Sequence, residues 1–128
     1  MIKKREEMRD SSVIGLRGGI GELYQHHILE KAETGGRTDM FCEFTIEPGR
    51  TIGLHCHDTN AEVYYVLEGE MVVVQDGEPH LVQAGDVVFT ADGHSHSVEN
   101  QSDKPVKMLA IIFPKCNYSA PPQRMLEK

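Results

Sequence analysis

An all-β barrel is the fold this sequence predicts, and three observations predict it. Turn-forming residues recur at short intervals, at Gly18-Gly19, Gly35-Gly36, Pro48-Gly49, Glu68-Gly69, Asp76-Gly77, Ala84-Gly85, Asp92-Gly93 and Asn100. The runs between them have strand length and favour Val, Ile, Tyr and Phe. The clearest run, residues 39–47, sets Met40, Cys42, Phe44 and Ile46 against Glu43, Thr45 and Glu47, the period of a half-buried strand.

Further strands are expected over residues 62–67, 71–75, 86–90 and 106–113, with Phe44, Phe89, Met108 and Ile112 as core. Asp76-Gly77 between two such runs signals a hairpin, because glycine supplies the positive φ that a tight turn needs. Residues 20–31 read as an irregular strand rather than an amphipathic helix, since a glycine pair flanks them on each side. Many short strands with regular turns suggest a closed sheet, which leaves no edge free to aggregate. The residues from Pro114 onward, with Pro121-Pro122 and scattered charges, have little to bury and are expected to lie over the surface.

At 128 residues the chain has room for one core and one domain. Thirteen Lys and Arg against twenty Asp and Glu give a net charge of −7, which repels phosphate backbones and anionic lipid headgroups. Nucleic acid and membrane surfaces are therefore not expected as partners. The first ten residues are charged and no apolar run reaches membrane-spanning length, so a cytoplasmic location is expected. Cys42, Cys56 and Cys116 are odd in number and lack CxxC spacing, which argues for reduced thiols rather than disulfides or a thiolate zinc site.

Seven histidines are the unusual feature of the composition. His55 and His57 are two residues apart, so on a strand they project to one face while Cys56 points away, a packed and inert thiol. Glu62 follows a short turn and can return its carboxylate beside the two rings. A third imidazole can come from Gly93-His94-Ser95-His96, in which His94 and His96 are both candidates. Tyr64 shares the facing of Glu62, and its phenol could reach a bound ligand or simply fill the core. His26, His27 and His80 read as ordinary surface or interface residues.

The spacing carries a family resemblance. Residues 49–69 read G, five residues, H, one, H, four, E, six, G, which matches the first motif of the cupin superfamily without a mismatch. Residues 85–100 read G, five, A, one, G, two, H, three, N, and resemble the second motif except that Ala91 stands where proline is usual. Fifteen residues separate the two motifs, and together they cover residues 49–100.

The resemblance implies a small single-domain cupin: a double-stranded β-helix, or jelly-roll barrel, over residues 38–114. Residues 1–37 would be N-terminal strands open to exchange in a homodimer, and residues 115–128 a C-terminal tail. It also implies metal ligation by His55, His57, Glu62 and His96, with His94 left in the turn. Three neutral nitrogens and a carboxylate suit one divalent ion of Mn, Fe, Co, Ni or Zn, and an octahedral choice leaves two positions for water or substrate. The expected function is a metal-dependent enzyme acting on a small organic acid or sugar-like molecule. The alternative is a non-catalytic module that binds or senses a small anionic or polar ligand. Small cupins that resemble this chain, including its Leu16-Arg17-Gly18-Gly19-Ile20-Gly21-Glu22 segment, are often described as oxalate-decarboxylase-like. A decarboxylase also needs a proton donor, and beyond Glu62 the sequence places none; Glu99 and Asp58 lie near the motifs but on turns.

Overall fold

The structure is a computed structural model that describes residues 1–115; the expected C-terminal surface tail and Cys116 lie outside the described residues. Ten strands follow in order: β1 (Arg9–Ile14), β2 (Glu22–Leu29), β3 (Met40–Ile46), β4 (Thr51–Cys56), β5 (Asn60–Glu68), β6 (Glu70–Gln75), β7 (Glu78–Gln83), β8 (Val87–Thr90), β9 (Ser95–Glu99) and β10 (Val106–Pro114). They form two antiparallel sheets, one ordered β1-β2-β3-β10-β5-β8 and the other β4-β9-β6-β7. The strand reading of residues 20–31 agrees with β2, and Asp76-Gly77 turns β6 into β7 with φ of 48° and 85°.

Alternation decides what lies between the sheets. On β3, Cys42, Phe44 and Ile46 are buried, and on β10 Val106, Met108 and Ala110 face them from the paired strand. Val73 of β6 and Val98 of β9 close the core from the other sheet. Each such aliphatic or aromatic side chain stabilises the fold by roughly 1.5–3 kcal/mol on burial. Along β5 the inward residues are Glu62, Tyr64 and Val66, so one strand carries a carboxylate, a phenol and a core valine in succession. Phe89, expected in the core, is 59% exposed on the edge strand β8. Its neighbours Val88 and Thr90 take the inward positions, because pairing of Val63 with Phe89 turns both outward.

Buried polar loops are satisfied internally, as burial requires. Asn100 donates to Ile46 O and Lys104 O and accepts from the Ser102 amide and hydroxyl, which ties the 100–105 loop to β3.

Candidate metal centre

Strand β4 delivers the first two imidazoles through an irregularity. Ile52 and His55 both face inward although three positions apart, which a regular strand forbids. A register shift against β9 between Ile52 and His55 restores the inward facing, and Gly53 lies within it. The Gly53 carbonyl then accepts from His55 Nδ1–H at 2.7 Å. His57 lies just past β4, where its amide donates to His94 O and its carbonyl accepts from the Gly93 amide. His96 sits opposite His55 on β9, and Glu62 enters from β5 of the other sheet.

Hydrogen bonds define the tautomer of every ring. His55 Nδ1–H donates to Gly53 O, and His57 Nδ1–H donates to Asn60 Oδ1 at 2.5 Å. For His96 the chain of partners is longer: Gln75 Nε2 donates to Phe89 O, so Gln75 Oε1 accepts from Thr90 Oγ1–H, and Thr90 Oγ1 in turn accepts from His96 Nδ1–H at 2.8 Å. Each neutral ring therefore presents a lone pair on Nε2. These lone pairs converge. His96 Nε2 stands 2.9 Å from His55 Nε2 and 3.0 Å from His57 Nε2, and Glu62 Oε1 lies 3.1 Å from both His57 and His96.

Three lone pairs and a carboxylate at such separations repel one another unless a cation lies among them, so this donor set fits a metal ion. The four donor atoms all fall within 4.8 Å of one another. Burial by itself pushes the Glu62 carboxyl up, but protons shared with His57 and His96 Nε2, standing where a cation would, outweigh it and hold the group at about 2. The Glu62 hydrogen bond raises His57, so a proton on its Nε2 takes the cation's place, whereas burial lowers His55.

His55, His57 and Glu62 open onto a cavity of about 90 Å³, lined also by Leu16, Arg17, Gln25, Met40, Phe44, Ile52, Tyr64 and Ile112. It has room for one small ligand, given that a water needs roughly 10–15 Å³ on this measure. A larger depression of about 370 Å³ beside Gly69, Ser102 and Lys104 lacks any converging imidazole. Phe44 and Ile112, read from the sequence as core, thus also form cavity wall.

Tyr64 is buried, stacks on His96 and lines the cavity, as its facing suggested. His94 is exposed and pairs with Asp76 at 2.7 Å, outside the donor cluster. Cys56 points away from the site as expected but is exposed rather than packed, because the outer face of β4 is uncovered there; its thiol donates to Asp58 and is raised by that hydrogen bond. Asp58 and Glu99 are exposed and do not line the cavity. Arg17 and Gln25 were not singled out from the sequence. Their only signal was the glycine-rich segment that follows Leu16 and the strand character of residues 20–31.

The cupin domain model matches residues 42–112. The oxalate-binding protein of Thermotoga maritima is 36% identical over 113 residues, covering 88% of this chain and 93% of that protein. A crystal structure described as a predicted oxalate decarboxylase from Thermotoga maritima superposes with a TM-score of 0.84 at 35% identity, covering 89% of this chain and 99% of the other. A Thermus thermophilus protein superposes at 0.64 and 26% identity, over 73% of this chain and 85% of its own. With both motifs, the two-sheet barrel and these relatives in agreement, the chain belongs to the cupin family.

Proposed function

We propose that this cupin binds one divalent metal ion through His55, His57, Glu62 and His96, and through that ion a small dicarboxylate of the oxalate type. The observation that carries the metal is the convergence of three Nε2 lone pairs on an ionised carboxylate. Donors ~2.1 Å from an ion stand ~3.0 Å apart at right angles and ~3.4 Å apart at the tetrahedral angle. The separations of 2.9–3.1 Å are compatible with one ion of Mn, Fe, Co, Ni or Zn among these donors. An octahedral ion would keep two positions for ligand oxygens.

The ligand class rests on the small cavity and on the relative named as an oxalate-binding protein. A divalent ion held here supplies Lewis acidity toward a carboxylate oxygen. Binding is favoured over turnover by the protein groups around it. Among the described cavity residues Glu62 is the one carboxyl, committed to the ion as a ligand, and burial drives the Tyr64 phenol well above its ordinary range. Neither is poised to deliver a proton near neutral pH. Decarboxylation is the second reading, favoured by the neighbour described as a predicted oxalate decarboxylase.

Protein purified without chelators should carry about one metal per chain and bind oxalate in calorimetry only when loaded. Metal-free protein of unchanged stability with no affinity for added Mn(II) would overturn the site. Release of CO2 from oxalate by the loaded protein would replace binding with the second reading. A homodimer is part of the proposal, supported by Ile14, Ile20 and Tyr24, which stand exposed on the N-terminal segment; light scattering at the mass of one chain would remove it.

A further inference from the structure

We propose that Arg17 and Gln25 are the residues that select a dicarboxylate, receiving the ligand's carboxylate oxygens that the metal does not take. This assignment rests on the metal-dependent binding proposed above. Beyond the four ligands and the Tyr64 phenol, the polar side chains on the cavity wall are these two; Leu16, Met40, Phe44, Ile52 and Ile112 supply the rest. A second carboxylate in such a cavity needs a cation, which Arg17 supplies, and a donor, which Gln25 adds beside the Tyr64 phenol.

The backbone holds Arg17 in place. It adopts the left-handed region at φ 55° and ψ 31°, which a non-glycine residue keeps only where the surroundings impose it. The surroundings are strand β4. A Cβ on Gly53 would lie 2.0 Å from Arg17 O, and one on Gly19 would lie 2.3 Å from Thr51 O. The Thr51 amide donates to Ile20 O, and the Ile20 amide donates to the Thr51 hydroxyl. The turn carrying Arg17 is thus clamped to the strand that carries His55. Arg17 is an exposed residue of the cavity wall and, among the described residues, pairs with no carboxylate in a chain of net charge −7.

Gln25 is oriented by a relay of hydrogen bonds. Burial raises the Cys42 thiol to about 11, so it keeps its proton and donates to His27 Nδ1 at 3.2 Å. Burial lowers His27, leaving a neutral ring whose Nε2–H donates to Ser11 Oγ at 2.8 Å. The Ser11 hydroxyl is then free to donate to Gln25 Oε1 at 3.2 Å. With its oxygen engaged, the Gln25 amide offers N–H groups to the cavity, the polarity an anion requires.

The experiment compares oxalate with acetate on Mn(II)-loaded wild type, Arg17→Gln and Gln25→Leu by calorimetry, with metal content and melting temperature measured on each. Arg17→Gln should keep its metal and lose about tenfold or more in oxalate affinity, while acetate affinity changes less than about threefold. Gln25→Leu should lose about fivefold or more for oxalate alone. Oxalate affinity within about twofold of wild type overturns the role of whichever residue was changed. Equal losses for oxalate and acetate would reduce Arg17 to a general attraction for anions and overturn selection. A metal-loaded wild type that binds no oxalate overturns the proposed function, and the assignment falls with it.

Discussion

The ring of Tyr64 lies flat on that of His96, centroids 4.8 Å apart and planes 7° from parallel, with the phenol oxygen 3.2 Å from His96 Nε2. Since His96 carries its proton on Nδ1, the phenol is the donor in this contact, and it donates to the atom a metal would claim. Its hydrogen bonding with Glu62 also helps lower that carboxyl, which gives the hydroxyl a second acceptor when the lone pair is taken.

Tyr64→Phe keeps the stack and the volume and removes only this hydrogen. The variant should fold with a loss of about 1 kcal/mol and bind Mn(II) about tenfold more weakly, as read by competition with a chromogenic chelator. An unchanged dissociation constant would show that the phenol does not orient Glu62.

Thr90 acts on the opposite edge of the same ring. Thr90→Val removes the acceptor for His96 Nδ1–H inside a fully buried setting and breaks the bond to Gln75. The expected cost is about 1–3 kcal/mol in urea unfolding and roughly 10- to 100-fold in metal affinity. Thr90→Ser restores the hydroxyl and should recover most of the metal affinity. Failure of serine to rescue would place the effect in packing rather than in the tautomer.

The ligand spacing was legible in the sequence because a strand's alternation puts His55 and His57 on one face, and the later motif supplied His96. What places them there was not. The inward facing of both Ile52 and His55 depends on a bulge at Gly53, and a bulge is visible only against a partner strand. Phe89 and Cys56 were misjudged for a related reason: alternation tells which residues share a face but not whether anything covers it. Arg17 escaped notice because its position comes from two backbones packed at glycines, a contact between segments more than thirty residues apart.

His94 and His96 test that reading of the later motif. His94 is exposed and held by Asp76 in a surface pair, whereas His96 is fully buried among the donors. After dialysis, His94→Ala should retain close to one metal per chain by elemental analysis, and His96→Ala and His57→Ala should retain little. Metal loss in His94→Ala with retention in His96→Ala would reverse the ligand assignment.

Cys42 makes stability depend on alkaline pH, and its sign can be worked out. Burial raises the folded thiol from 9.0 to about 11, so the folded chain holds this proton more tightly than the unfolded one. The resulting stabilisation is complete below pH 9, declines as the unfolded thiol ionises, and is gone once pH passes through about 11. Cys42→Ser retains a donor to His27 Nδ1 but has nothing to titrate in that window. Wild type should therefore lose urea midpoint more steeply than Cys42→Ser between pH 9 and pH 11. Parallel slopes would mean that the thiol is as well solvated folded as unfolded, and that burial does not tighten its hold on the proton.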